Sequence, residues 1–246
     1  MDDVFADRFE TGREPWAGGW KDRGDPADIR KTDNAHWANR TLRQLALNET
    51  IGAMAARLMD TPEVRLWHDQ LLYKPGQGVA ARSAAGNVGW HQDHGYWRCT
   101  GPDLITAWVA FDDVNLDNGC MQVVPGSQEW GLLSRGDFFD TDLGTMASRI
   151  QQLTGQPFQP VPCTLRAGEG SFHHCLTVHG SGPNVTDKPR RSLVLHLMPA
   201  HAAYQAGSPD DNHMNAILMR QGGGQDGELF QGEPWPTVYR RDGLPT

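Results

Sequence analysis

The sequence predicts a mainly β protein: a double-sheet jelly roll with a few flanking helices. Three observations point there. Short runs rich in branched and aromatic residues recur along the chain, as in "VGWHQD", "DLITAWVAF", "CMQVV", "CTLRA", "GSFHHCLTVH" and "RSLVLHLMP". Turn formers separate them, with 28 glycines and 16 prolines among 246 residues, a density that interrupts long helices. Helical spacing shows in only two places, near the start and within one insertion. Many short strands with few helices suit two stacked antiparallel sheets.

Residues 1–35 are polar and without period, which predicts an extended or partly ordered arm. In "NETIGAMAARLMD" the spacing of Ile51, Met54, Ala55 and Leu58 predicts a helix of about three turns, with Asn48 as its N-cap. "EVRLWHDQLLYKP" alternates and reads as a strand ended by Pro75 and Gly76. Asn118 and Gly119 predict a tight turn without chemistry. Residues 127–160 form an insertion in which "LGTMASRIQQL" reads as a helix, through Leu143, Met146, Ile150 and Leu153, and "RGDFFDTD" as loop. Such an insertion can cover a pocket mouth, and Arg135, Phe138 and Arg149 are its candidate substrate contacts. "GGGQDG" near the end reads as a flexible turn or tail element. One domain over residues 1–246 is expected.

The net charge of -8 and the lack of clustered Lys and Arg argue against nucleic acid and anionic membranes as partners, leaving small molecules. The same lack leaves no basic cluster to receive the phosphates of a CoA thioester. "MDDVFADRFETGREPWAGGW" has neither the cationic start nor the apolar run of a signal peptide, and nowhere do 18 apolar residues follow one another. Cys99, Cys120, Cys163 and Cys175 show no CxxC spacing and read as reduced thiols. A cytoplasmic protein is the expectation.

The stretch "GWHQDHGYW" carries the chemistry. On a strand, His91 and Asp93 would present a nitrogen and an oxygen to one shared point while Gln92 faces the other side. His179 ends a strand-like run before a Gly-Ser-Gly-Pro turn and offers a third ligand. Two histidines and one carboxylate on one face of an iron leave positions open for a co-substrate and oxygen. Eleven residues on, Arg190 is placed to clamp a distal carboxylate, and alternation lets only one of Arg190 and Arg191 face the pocket.

The combination of "WHQDHGYW", "ITAWVAFDDVNLDNGCMQVVPGS" and "HGSGPNVTDKPRRSL" resembles the phytanoyl-CoA dioxygenase-like family of non-haem Fe(II)/2-oxoglutarate-dependent oxygenases, over roughly residues 40–200. The resemblance implies a cupin-like double-stranded β-helix with Fe(II) held by His91, Asp93 and His179. It implies that Gln70, Trp108, Ser181 and Arg190 line the 2-oxoglutarate pocket, with Lys31 as a looser further match. It also implies that O2 and 2-oxoglutarate are consumed, that succinate and CO2 are released, and that a small-molecule metabolite or natural-product intermediate is hydroxylated. Asp93 argues against halogenation, because related halogenases lack this carboxylate. Against the family, the arm before residue 40 is short, so an N-terminal strand is expected to be missing or replaced.

The same machinery supports desaturation, cyclisation or epimerisation as alternatives. A redox-neutral cupin-type metalloenzyme or a binding module is the rival class, disfavoured because neither needs the clamp that Arg190 and Ser181 would provide. His94, Tyr96, Trp97 and Arg98 follow the metal pair and are candidates for the substrate pocket. His173 is expected on the strand face of His179 in a packing or supporting role, with His174 beside it. His36, His68, His196, His201 and His213 read as surface or satisfied core residues.

Overall fold

The computed structural model describes residues 1–16, 29–76, 78, 86–101, 103–133, 142–207 and 213–241. Arg135, Phe138 and nearly all of "RGDFFDTD" lie outside these residues. The chain opens with α1 (Asp2–Phe5) and β1 (Arg30–Asp33), followed by α2 (Arg40–Ala46), α3 (Glu49–Leu58) and the long strand β2 (Glu63–Lys74). Then come β3 (Val88–His91), β4 (Ile105–Ala110), β5 (Met121–Val123), α4 (Leu143–Thr154) and β6 (Val161–Pro162). β7 (Gly170–His174), β8 (His179–Ser181), β9 (Arg190–Pro199), α5 (Met214–Gln221) and β10 (Thr237–Arg240) complete it.

Two antiparallel sheets face each other. The larger runs β1-β2-β9-β4-β7, with β10 also on β2, and the smaller runs β3-β8-β5-β6. β1 and β10 share one edge of β2, at opposite ends: Gln70 to Tyr73 pair with β1, and Glu63 to Arg65 with β10. β9 is the central strand and is buried on both faces. Its outward residues Leu193, Leu195 and Leu197 join Leu71, Ile105 and Ala107 under α2 and α3. Its inward residues Arg190, Ser192 and His196 are polar, since they face the space between the sheets.

Three expectations are corrected here. The N-terminal arm contains a helix and a strand: the Val4 side chain is wholly buried in the main core, and β1 supplies the edge strand thought missing. α3 begins at Asn48, whose side chain accepts the Ile51 N–H, but it packs through Gly52, Ala55 and Ala56 while Met54 and Leu58 are 50% and 61% exposed. Small residues are chosen because a Cβ on Gly52 would lie 2.7 Å from Tyr239 of β10, and close approach outweighs the apolar stripe. Helices are not confined to the first part and the insertion, because α5 follows the barrel strands. Of the two expectations for "GGGQDG", the turn is the one seen: it is stitched to Tyr204 through Gly227 N–H, and β10 follows it.

The described part of the insertion packs on the outer face of the smaller sheet. Trp90 donates its indole N–H to Leu143 O at 3.1 Å and joins Met146, Ile150 and Phe158, while Arg149 is exposed. Gln92 fastens the insertion's start, donating to Gly131 O and Leu176 O and accepting from Leu133 N–H.

At the start of β9, Arg190 turns inward and Arg191 outward. Arg191 forks onto Asp112, its Nε on Oδ2 at 3.0 Å and its terminal nitrogen on Oδ1 at 2.7 Å. Those hydrogen bonds hold the Asp112 carboxyl below its usual range. Asp112→Asn is therefore expected to cost about 1 kcal/mol at neutral pH in a denaturant titration. A depressed carboxylate stabilises above its unfolded pKa of about 3.9 and ceases to as pH falls through the lower folded value. The gap between variant and parent should thus close below about pH 4; a gap unchanged at pH 3 would refute the ion-pair assignment.

Candidate active site

The two sheets bring together residues far apart in the chain. His91 ends β3 and His179 begins β8, and the two are direct partners in the ladder, with ring centroids 4.1 Å apart. Asp93 does not continue the strand. It opens a 3-10 turn, Asp93–Tyr96, whose His94 N–H is caught by Cys175 O. The turn, rather than strand alternation, swings the carboxylate under the two rings.

The imidazole tautomers follow from their partners. His91 Nδ1 lies 2.8 Å from Gly89 O and His179 Nδ1 lies 2.9 Å from Thr177 O. Carbonyls only accept, so each Nδ1 carries the proton and, in a neutral ring, each Nε2 presents a lone pair. Both Nε2 atoms face Asp93 Oδ1 at 3.7 Å, and one ligand atom from each residue lies within 4.8 Å of the others. Three potential electron-pair donors converge, an arrangement that suits a cation between them. The donor set of two imidazoles and one carboxylate suits a divalent first-row metal such as iron.

The charge states agree. Burial and the adjacent His91 ring push His179 well below the usual imidazole range, leaving it neutral. Burial pushes Asp93 upward, but the surrounding imidazoles, His179 foremost and then His173 and His91, more than offset this and hold it well below the usual carboxylate range. Neutral imidazoles and an ionised carboxylate are the forms a metal requires.

Behind Asp93 stands a row of side chains that crosses the larger sheet in register: His68 on β2, His196 on β9, Thr106 on β4 and His173 on β7. Thr106 donates its hydroxyl to Asp93 Oδ2 at 2.8 Å, so the 2.8 Å contact to His196 Nδ1 must be a bond that Thr106 accepts. His173 Nε2 is 3.4 Å from the same oxygen. The His68 ring lies 4.4 Å from that of His196, and burial keeps it neutral. His173 is thus on β7 of the opposite sheet, not on the strand of His179, and His68 and His196 are not ordinary core histidines. One signal could have found them: each is a polar residue on the inward phase of a strand whose other phase is apolar. Thr106→Val is expected to weaken metal binding by roughly tenfold, as loss of a ligand's supporting hydrogen bond does, with Thr106→Ser close to the parent. Competition against a chromophoric chelator measures this, and an undiminished valine variant would remove Thr106 from the site.

The next inward rows lead away from the metal position. Trp108 is buried beside Val194, and the Arg190 guanidinium lies 5.1 Å from its ring centroid. Arg190 is buried, burial draws its pKa down to about 10, still charged at neutral pH, and its Nε has no hydrogen-bond partner among the described residues. Ser181 lies two residues beyond His179 on β8. Gln70 is half-buried and bonded to Asp33, its partner on β1. Lys31 is on the same strand, partly exposed and 3.6 Å from Asp33. Of the residues after the metal pair, Trp97 belongs to a core cluster with Trp67 and Phe230, Arg98 is exposed, and Tyr96 lies 6.1 Å from the His91 ring. Lys74, missed in the sequence, is buried at the Arg190 end and bonds Ser181.

Comparison with known proteins bears on this geometry. The family model of phytanoyl-CoA dioxygenase (PhyH) matches residues 6–192, most of the chain. The chain belongs to the phytanoyl-CoA dioxygenase family. Among curated relatives, it is 26% identical to the probable alpha-ketoglutarate-dependent hypophosphite dioxygenase of Stutzerimonas stutzeri over 71% of this chain and 58% of that protein. It is 30% identical to the peroxisomal phytanoyl-CoA dioxygenase of Homo sapiens over 58% of this chain and 42% of that protein. The chain thus spans about two fifths to three fifths of the length of these relatives. Among solved structures, the alpha ketoglutarate dependent carbocyclase SnoK from nogalamycin biosynthesis aligns with TM-score 0.69 at 27% identity, covering 96% of this chain and 83% of that one. The epimerase SnoN, solved with Fe3+, alpha ketoglutarate and nogalamycin RO, aligns with TM-score 0.68 at 28% identity, covering 88% and 81%. The family's jelly-roll architecture is the one seen here. Among the described residues, no helix is long and apolar enough to cross a membrane.

Proposed function

We propose that this chain is an Fe(II)/2-oxoglutarate-dependent oxygenase that hydroxylates a small molecule, a metabolite or natural-product intermediate. The observation that carries the reading is the convergence of two imidazole Nε2 atoms and one carboxylate oxygen, with a buried, anion-seeking arginine farther along the same interior. Residence of Fe3+ and alpha ketoglutarate in the similar epimerase SnoN supports it.

In this reading His91, Asp93 and His179 hold the iron. Iron bound there supplies the redox chemistry that couples O2 and 2-oxoglutarate to oxidation of a C–H bond, with succinate and CO2 released. Thr106 keeps the second oxygen of Asp93 occupied, so that one oxygen is presented to the ion. Gly89 O and Thr177 O hold the imidazole protons at Nδ1. Arg190 binds the far carboxylate of the 2-oxo acid as a planar fork, Ser181 adds a hydroxyl, and Trp108 and Gln70 form the walls. Sheet β9-β4 on one side and β8-β5 on the other keep bulk water from this space. The free cysteines support a reducing compartment such as the cytoplasm.

A second outcome on the same machinery, cyclisation or epimerisation, is favoured by the similarity to the carbocyclase SnoK and the epimerase SnoN. Analysis of the oxidised substrate under 18O2 separates the two, because hydroxylation alone leaves label in it, whereas succinate is labelled in either case. The reading itself is tested by adding Fe(II) and 2-oxoglutarate to the metal-free protein without oxygen. A weak visible charge-transfer band is expected, followed by succinate on admission of air. Neither band nor succinate, from protein shown to bind Fe(II), would refute it.

A further inference from the structure

β7 carries two histidines in succession, and strand alternation sends them to opposite faces. His174, on the outward face, is half-buried, and its Nδ1 accepts the Leu176 N–H at 3.1 Å. His173 is the ladder partner of Thr106 and faces the interior with it. It is 7% exposed, and among the described residues neither of its ring nitrogens has a hydrogen-bond partner. A neutral imidazole carries one N–H and one lone pair, and burying either without a partner costs about 1–3 kcal/mol. An apolar ring would serve packing alone better at this position.

The ring stands where the two sheets meet at the candidate metal ligands. Its centroid is 4.4 Å from that of His179, which belongs to the smaller sheet, and its Nε2 is 3.4 Å from Asp93 Oδ2. That oxygen already accepts the Thr106 hydroxyl at 2.8 Å, and a carboxylate oxygen has room for a second donor. The His173 nitrogen is within reach of it without being aligned for a bond, and a small rotation of the ring aligns it. His196 stands 3.8 Å from the same oxygen with its Nδ1 turned to Thr106. Side chains of β9, β4 and β7 thus surround Oδ2, while Oδ1 faces His91 and His179.

We propose that His173 is a positioning residue of the metal site: its Nε2–H is the second donor to Asp93 Oδ2 and its ring backs His179, so that one side chain of the larger sheet fixes two ligands at once. This rests on the metal-binding part of the oxygenase reading. An ionised carboxylate only accepts, so the His173 proton belongs at Nε2. Together with Thr106 it holds Asp93 from two adjacent strands, and the carboxylate is kept from turning its second oxygen toward the ion. His173 acts on how the ion is held, not on recognition of the 2-oxo acid.

The test separates the nitrogens of His173 from its bulk. His173→Phe keeps an aromatic ring against His179 and removes the donor, whereas His173→Gln places an amide N–H near the position of Nε2. Co(II) affinity is measured by competition with a chromophoric chelator, and the visible bands of bound Co(II) report its surroundings. His173→Phe should bind Co(II) roughly tenfold more weakly, with bands changed in position or intensity, and His173→Gln should stay within about threefold with the parent's bands. The double variant with Thr106→Val should bind more weakly than either single variant, because only there is the second oxygen of Asp93 released altogether. The affinity of Co(II)-loaded His173→Phe for 2-oxoglutarate should remain within about threefold of the parent's. If His173→Phe does not fold, His173→Leu against His173→Gln makes the same comparison. A phenylalanine variant equal to the parent in affinity and spectrum overturns the proposal, as does a glutamine variant no better than phenylalanine. Weakened 2-oxoglutarate binding with Co(II) held as in the parent also overturns it, since His173 would then read the organic ligand. If the parent itself binds no Co(II), the metal reading falls and the proposal with it; if the parent binds Co(II) and the variants do not differ from it, the proposal alone falls.

Discussion

Replacing Asp93 by alanine is expected to abolish specific metal binding and, with it, succinate formation. Among the described residues, Asp93 Oδ1 is the one anionic donor facing His91 and His179, at 3.7 Å from each Nε2. Without it two imidazoles remain, and the site loses both a ligand and the charge that offsets a divalent ion. Loss of a supporting partner costs ten- to a hundredfold in affinity, so loss of a ligand should exceed roughly a hundredfold. The substitution also empties the hydrogen bond from Thr106, so part of the cost is an unpaired buried hydroxyl. Competition with a chelator for Co(II) or Fe(II) measures the affinity, and the rate of 2-oxoglutarate decarboxylation gives the activity. Tight stoichiometric binding by the alanine variant would show that the ion, if any, sits elsewhere.

The second large effect is at Arg190. Its guanidinium is buried against Trp108, its Nε has no hydrogen-bond partner among the described residues, and Arg191 cannot substitute because it faces Asp112 on the other side of the strand. Arg190→Met should raise the KM for 2-oxoglutarate roughly 30- to 150-fold, or about 2–3 kcal/mol, as removal of hydrogen bonds to a charged group does. Metal affinity in the absence of co-substrate should stay within about threefold, since the guanidinium lies rows away from His91, Asp93 and His179. Arg190→Lys should recover only part of the loss, because a point charge does not reproduce a planar fork. Steady-state kinetics over 2-oxoglutarate concentration, paired with Co(II) titration, separates the two quantities. An unchanged KM would place the far carboxylate against some other group.

The signals that could be read without coordinates were those of short range. β2 ends at Lys74 because Pro75 and Gly76 stop it, and Asn48 caps α3 because a side-chain oxygen two or three residues before the first free N–H is a local matter. The failures have a common cause. The apolar spacing of Met54 and Leu58 was a sound helical signal, yet which face α3 buries depends on how closely β10 approaches Gly52. The polar arm holds α1 and β1 because a single buried valine and one sheet edge suffice to order them, and neither produces a period.

The interior row shows the division most clearly. Taken alone, the sequence determined the sheet-rich class, the family, and the residues able to bind a metal, because ligand chemistry and motif spacing are written residue by residue. Only the tertiary structure decided that His196, Thr106 and His173 stand behind Asp93 and that Lys74 stands beside Arg190. Ladder register across four strands sets those neighbours, and register is fixed by pairing between segments up to a hundred or more residues apart, which no local pattern encodes.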